Sequence, residues 1–274
     1  MSIMHLLIMG CNSQDWVPTE LEEQLVTFEA TTFDMGFPDV EVGPYGNHWK
    51  ETAQPIHEVQ LSKFSMDVYE VRVQEYTLFL NDLAQNSLYS AAVHHHALQP
   101  IAMENDEFIS WEGYENRPMN YVSYYDALSF CAWRGATLPS EAEWERAAKG
   151  DDRASPRSFP WVDGGANCQK AAYYTHRTLC HRRPEEVGSH PLGATPEGIH
   201  DMGGNVSEWV WDWFERYSEE PQINPLGPDE GRYKIVRGGG FRETADAMRT
   251  TDRVIANPLS RSEGIGFRCV RREE

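Results

Sequence analysis

Apolar positions recur at helical spacing in only three places along the chain. In VQEYTLFLNDL, residues 73–83, the side chains of Val73, Tyr76, Leu80 and Leu83 share one face, which predicts an amphipathic helix. A second run, SYYDALSFCAW, opens on Ser123 with Asp126 three positions later, a capping-box pattern, and lines up Ala127, Phe130 and Cys131 as an inward stripe. In a third, Leu138-Pro139-Ser140 leads into EAEWERAAKG. There Ser140 can accept from first-turn amides, Glu143 can reach back, and Gly150 supplies a left-handed stop. Short runs bounded by turn residues predict strands at 57–61, 64–68, 233–237 and 266–270. Between these elements 21 Gly and 16 Pro are scattered without a repeat or a low-complexity tract, which predicts one irregular, loop-rich α+β domain.

Composition narrows the function classes. With 40% of 274 residues hydrophobic, the chain can bury a sizeable core. Its 24 Lys+Arg against 43 Asp+Glu give a net charge of −19, which sets nucleic acid aside as a partner, because a phosphate-backbone binder would need its cations to prevail locally against that field. No run of about 18 apolar residues is present to span a bilayer. The first eleven residues, MSIMHLLIMGC, resemble the tail of a bacterial lipoprotein signal ending at a lipid-bearing Cys11, although the positive n-region is missing. A frayed terminus with a stray thiol is the alternative. On the lipoprotein reading, residues 12–27 form an acidic stalk and the domain proper runs from 28 to 271. The protein is then extracytoplasmic, lipid-anchored in a bacterial envelope and in contact with membrane only through that anchor. Setting Cys11 aside leaves Cys131, Cys168, Cys180 and Cys269, an even number that three pairings could satisfy in an oxidising compartment, and two bridges are expected. No two of them form a C-x2-C knuckle, which argues against zinc held by thiolates.

Five ordered motifs then carry a resemblance. They are YVSYYDALSFCAWRGATLPSEAEWERAAKG at 121–150, Phe159-Pro160-Trp161, GIHDMGGNVSEW at 198–209, Arg237-Gly238-Gly239, and Gly266-Phe267-Arg268. Together they resemble the formylglycine-generating enzyme, or sulfatase-modifying factor, family over nearly the whole chain. The resemblance implies an irregular C-type lectin-like α+β fold with a small antiparallel sheet. Read from chemistry alone, Trp144, Trp161, Trp209 and Trp213 are large amphipathic anchors for loops. Arg237 and Arg268, beside glycines, suit buried carbonyls or carboxylates.

The segment 201–208 offers two carboxylates, Asp201 and Glu208, and a glycine turn that could aim the carbonyls of Gly204 and Val206 at one point, a donor set suited to Ca2+. The matching family positions bind a structural Ca2+; a solvated acidic turn is the competing reading. A second calcium site of the family, near Asn167, would need an acidic residue where this chain has Thr178-Leu179-Cys180-His181, so that site is expected to be lost and its loop held by a Cys168–Cys180 bridge. The resemblance also implies a Cys131–Cys269 bridge.

The family's defining enzymes hold copper with two cysteines shortly after Arg-Gly-Gly and convert a substrate cysteine to formylglycine. Soft thiolates are what select Cu(I). Between Cys180 and Cys269 this chain has none: GFRETADAMRTTDR, residues 240–253, puts Glu243 and Met248 nearest, and Gly240 stands in place of the usual serine. No copper and no formylglycine generation by that route are expected. Arg242, Glu243, Asp246, Met248 and Arg249 become a candidate pocket for a protein segment or glycan, or else a salt-linked surface loop. The run His94-His95-His96 occupies consecutive positions that cannot all face one ion on a regular element. His176, His181, His190 and His200 show no spacing that singles out a site. Two functions remain: a non-catalytic binding or accessory module, and a metal-dependent oxidoreductase of altered chemistry.

Overall fold

The computed structural model describes residues 24–37, 52–86 and 97–273. Cys11 and His94–His96 lie outside the described residues. The three expected helices form as α1 (Val73–Gln85), α2 (Tyr124–Trp133) and α3 (Glu141–Lys149). Both serine caps close reciprocally. Ser123 Oγ accepts from Asp126 N at 3.2 Å while Ser123 N donates to Asp126 Oδ2 at 2.8 Å, and Ser140 and Glu143 repeat the pattern at 3.1 and 2.7 Å. Gly150 stops α3 at φ +83°.

Small sheets surround these helices. The strand β1 (Leu25–Phe28) and the last strand β12 (Val270–Arg272) flank β4 (Phe64–Asp67), both antiparallel to it, so the two ends of the described domain meet on one strand. Residues 25–27, expected in the stalk, belong instead to β1, whose Phe28 stacks on Phe64 with ring centroids 4.9 Å apart. A second sheet joins β2 (Thr31–Met35), β3 (His57–Leu61) and β8 (Gln222–Ile223), and a hairpin joins β5 (Ile101–Glu104) to β6 (Glu107–Ser110). The central sheet has the order β10 (Val254–Ala256), β9 (Lys234–Arg237), β7 (Ser207–Trp213) and β11 (Ile265–Gly266). The strand expected at 266–270 is split between β11 and β12. Between them single backbone bonds, Val71 N to Phe267 O at 2.9 Å and Asp67 N to Cys269 O at 3.0 Å, are joined by a side-chain bond, Cys269 N donating to Asp67 Oδ2 at 2.9 Å.

One core packs α1 and α2 against the central sheet through Tyr76, Phe79, Phe130, Trp209 and Phe267. A second packs α3 through Ala142, Trp144, Ala147 and Ala148 onto Phe33, Val59, Phe64 and Ile235, and a smaller third gathers Trp161, Ala171, Tyr173 and Met248. The tryptophans act as anchors: Trp209 Nε1 donates to Val122 O at 3.0 Å and Trp161 Nε1 to Gly164 O at 3.2 Å, so each ring buries its face and still satisfies its one donor. Cys131–Cys269 ties α2 to the segment before β12, and Cys168–Cys180 closes a loop, with Cα–Cα distances of 5.6 and 5.4 Å.

The far side of α3 is charged yet buried. Arg237 donates to Glu145 at 2.6 Å, Arg253 grips both oxygens of Glu141 at 2.6 and 2.8 Å, and Lys149 reaches the carbonyls of Asp34 and Gly36 at 2.7 Å. Burial alone would push the Glu145 carboxyl up, but Lys149 and Arg237 overcome it and leave it lowered.

Candidate functional site

The loop leading into β7 is built on three residues with positive φ: Asp201 at +60°, Gly204 at +91° and Asn205 at +60°. Gly204 has no substitute, because a Cβ there would stand 2.6 Å from the carbonyl oxygen of Ala172. Three buried carboxylates converge on this loop. Glu208 Oε1 accepts from Arg268 Nη2 at 2.7 Å, and its Oε2 accepts from Arg268 Nε at 2.8 Å and Trp144 Nε1 at 2.9 Å. Glu70 accepts from Asn205 Nδ2 at 2.6 Å and from Val206 N at 3.2 Å. Asp201 Oδ2 accepts from Gly188 N at 2.6 Å. Arg268 spends its remaining donors on the carbonyls of Asp67, Val68 and His200.

Three carboxylates therefore face one guanidinium. Burial raises the Glu70 carboxyl well above the usual range, with Asp201 and Glu208 adding repulsion, and burial raises Asp201 as well. Excess buried negative charge of this kind is relieved by a proton or by a cation. Carboxylate and carbonyl oxygens are the donor type that a hard cation takes. Among the described residues Asp201 Oδ1 takes no protein hydrogen bond, and Glu208, with three of its roughly four acceptor positions used, retains one. Asp201, Gly204 and Val206 lie on the loop and Glu208 on the first turn of β7 beyond it, while Glu70 and Arg268 are brought beside them by the fold.

The loop is continuous with a cleft of about 400 Å³ lined by Tyr121, Gly240, Arg242, Glu243, Arg261, Glu263 and Gly264. Phe241 N donates to Asn205 O at 2.9 Å and Ser207 N to Gly264 O at 2.8 Å, so the loop holds both walls of the cleft. Across it Arg242 pairs with Glu263 at 2.8 Å, and Arg261 is anchored to Asp126 at 2.6 Å. Burial raises the Glu243 carboxyl.

Of the five residues expected in the pocket, only Arg242 and Glu243 line this cleft. Met248 is fully buried against Trp161, Ala171 and Tyr173, because the short 3-10 turn Ala245–Met248 directs it into the core. Asp246 and Arg249 pair with each other at 3.3 Å, and the Arg249 guanidinium lies 5.4 Å from the Phe159 ring centroid, outside the cleft lining. Tyr121, Arg261 and Glu263 come from segments distant in sequence, which periodicity could not connect. The histidine reading also changes, since the fold brings His181 and His190 together around Glu185.

The site thus combines a loop-rich α+β scaffold, a carboxylate-rich glycine turn and a polar cleft whose lining, among the described residues, holds no thiol. The sulfatase-modifying factor enzyme 1-like domain matches residues 14–273, and the chain belongs to that family. It is 31% identical over 261 residues to the serine/threonine-protein kinase Pkn1 of Chlamydia trachomatis serovar L2, covering 93% of this chain and 39% of that protein, so it spans well under half of that relative's length. It is 27% identical over 297 residues to the formylglycine-generating enzyme of Thermomonospora curvata, covering 92% of this chain and 94% of the enzyme. Among solved structures, Treponema denticola variable protein 1 superposes with a TM-score of 0.70 at 21% identity, covering 94% of this chain and 98% of that one, a likeness of fold.

Proposed function

We propose that this chain is a non-catalytic binding module of the formylglycine-generating enzyme family, held outside the cytoplasm by a lipid on Cys11, whose cleft receives an extended protein segment. The observation that carries the reading is the content of the cleft. Where the family's copper chemistry needs two thiolates, the wall presents Glu243 to the cleft and sends Met248 into the core. What remains is Tyr121, paired Arg242 and Glu263, and the Glu243 carboxyl, a set that hydrogen-bonds a peptide without offering an electron-transfer ligand.

One structural Ca2+ on Asp201, Glu208 and the carbonyls of Gly204 and Val206 completes this reading. Bound there, the ion would neutralise the excess carboxylate charge. The chain's own contribution is mechanical: Asn205 and Ser207 pass the loop's rigidity to the two cleft walls through their bonds to Phe241 and Gly264.

Peptide and glycan arrays probed with wild type and with the Arg242→Ala/Glu243→Gln double variant test the reading. Binding to a subset of peptides that the double variant loses supports it. Binding confined to glycans, or unchanged in the variant, overturns the peptide cleft.

A further inference from the structure

We propose that His181, Glu185 and His190 form a binding site for one borderline divalent metal ion of the Zn2+ class, separate from the carboxylate loop and independent of the calcium reading. One nitrogen of each imidazole and one Glu185 oxygen all lie within 4.8 Å of one another. His181 Nδ1 stands 2.9 Å from Glu185 Oε1 and His190 Nε2 stands 3.3 Å from Glu185 Oε2. Metal–nitrogen and metal–oxygen bonds of about 2.0–2.2 Å in a tetrahedron put ligand atoms roughly 3.4 Å apart, so these spacings need only small side-chain adjustments to enclose an ion.

Two further observations separate this cluster from an ordinary surface ion pair. The Nε2 atom of His190 is buried and makes no hydrogen bond, its 3.3 Å approach to Glu185 Oε2 lacking hydrogen-bond geometry, an expensive condition for a ring nitrogen that has no structural task. His190 is also buried as a whole, at 7% exposure, while His181 and Glu185 are partly open, which leaves an entry path and a position for water or a fourth ligand. Two imidazoles with one carboxylate match zinc-class ions. Calcium prefers six or more oxygens, and the set has no thiolate to favour Cu(I).

The site would act as a clasp. Metal binding joins the two ends of the segment 181–190 to its middle. From within that segment Glu185 N donates to Asn205 Oδ1 at 2.8 Å and Gly188 N to Asp201 Oδ2 at 2.6 Å. Ordering the segment therefore fixes the loop that backs the cleft.

Tagless full-length protein, stripped of metal and kept in calcium-free buffer, is titrated with Zn2+ by calorimetry and loaded with Co2+ for visible spectroscopy. The expected result is one Zn2+ per chain and the strong visible bands of four-coordinate Co2+. Affinity should fall at least tenfold in His181→Gln and in Glu185→Gln, whose far-ultraviolet spectra should match wild type. The triple variant His94→Ser/His95→Ser/His96→Ser should retain wild-type stoichiometry. Zinc binding that survives His181→Gln and Glu185→Gln, that vanishes in the triple variant, or that is absent from wild type at micromolar Zn2+ would overturn the proposal. Because no step involves Ca2+, failure here leaves the calcium loop untouched, and failure of the calcium loop leaves this result standing.

Discussion

Among the described residues Arg268 is the only guanidinium beside the three carboxylates at the glycine loop, and its replacement by methionine isolates that arrangement. The side chain is fully buried, binds Glu208 through two donors at 2.7 and 2.8 Å, and satisfies three carbonyls. Methionine keeps much of the aliphatic volume but leaves Glu208 with Trp144 alone and strands Glu70 and Asp201 beside it. Removing one member of a buried ion pair costs about 3–5 kcal/mol, since the abandoned charge keeps its desolvation penalty. At roughly 2–4 °C per kcal/mol for a domain of this size, the melting temperature should fall by about 6–20 °C. Glu70 and Asp201 already have raised carboxyl pKa values, and loss of Arg268 raises them further. Stability from such groups falls as pH rises from the unfolded toward the folded pKa, so the variant's deficit relative to wild type should be greatest at neutral pH and shrink on acidification. Near-ultraviolet circular dichroism melts of wild type, Arg268→Met, Glu208→Gln and the double variant provide the assay. The double variant should be less damaged than the sum of the singles by about 1–3 kcal/mol. A loss under about 1 kcal/mol in Arg268→Met, or strict additivity in the cycle, would refute the argument that one buried charge nest organises the loop.

Other perturbations give independent checks. Asp201→Ala should lower the melting temperature more in calcium than in chelator, where only its bond to Gly188 N and the strain of alanine at φ +60° are at stake; equal losses in both would remove the calcium claim. Burial, with repulsion from Glu141, pushes the Asp212 carboxyl up to about 7 from an ordinary 3.8. Between those values the native state holds a proton that the unfolded chain has released, so stability should fall with rising pH by up to ~1.4 kcal/mol per unit from this group and level off above about 7. Asp212→Asn, whose side-chain oxygen can still accept from Glu141 N, should flatten that slope in urea titrations across pH. Opening Cys131–Cys269, with its separation of 138 residues, should cost about 5 kcal/mol in the chain-entropy model, against about 3 kcal/mol for Cys168–Cys180 with its separation of 12. Denaturant melts of Cys131→Ala/Cys269→Ala and Cys168→Ala/Cys180→Ala read the order, and the reverse order would contradict it.

Local signals were legible in the sequence and long-range ones were not. The helices α2 and α3 announce themselves because a serine cap, its acidic partner three residues on and the inward stripe all lie within one or two turns. Their register and caps form as the pattern requires. The hairpin β5–β6 carries no such signal, because its two-residue turn is Asn105-Asp106, both at positive φ, without the glycine that marks such turns. In the loop before β7, Asp201 and Glu208 were visible as a local motif. Glu70 and Arg268, which set its charge balance, lie 135 residues before Asn205 and 60 after Glu208 and meet only through the fold. The cleft is narrower than the pocket expected from sequence for a related reason. Residues 240–253 read as one charged groove, but a 3-10 turn within them separates Glu243, at the cleft, from Met248, in the core. His181, Glu185 and His190 sit in a loop where no period relates sequence spacing to direction, so their convergence is a property of the fold alone.

The central claim is that this family scaffold has lost the thiol chemistry of its catalytic relatives. It is tested most directly by supplying copper-reconstituted protein with a cysteine-bearing sulfatase peptide in air and following oxygen uptake together with peptide mass. The account predicts no oxygen consumption above the peptide-only control and an unaltered cysteine. Conversion of that cysteine to its aldehyde, with matching oxygen consumption, would contradict it.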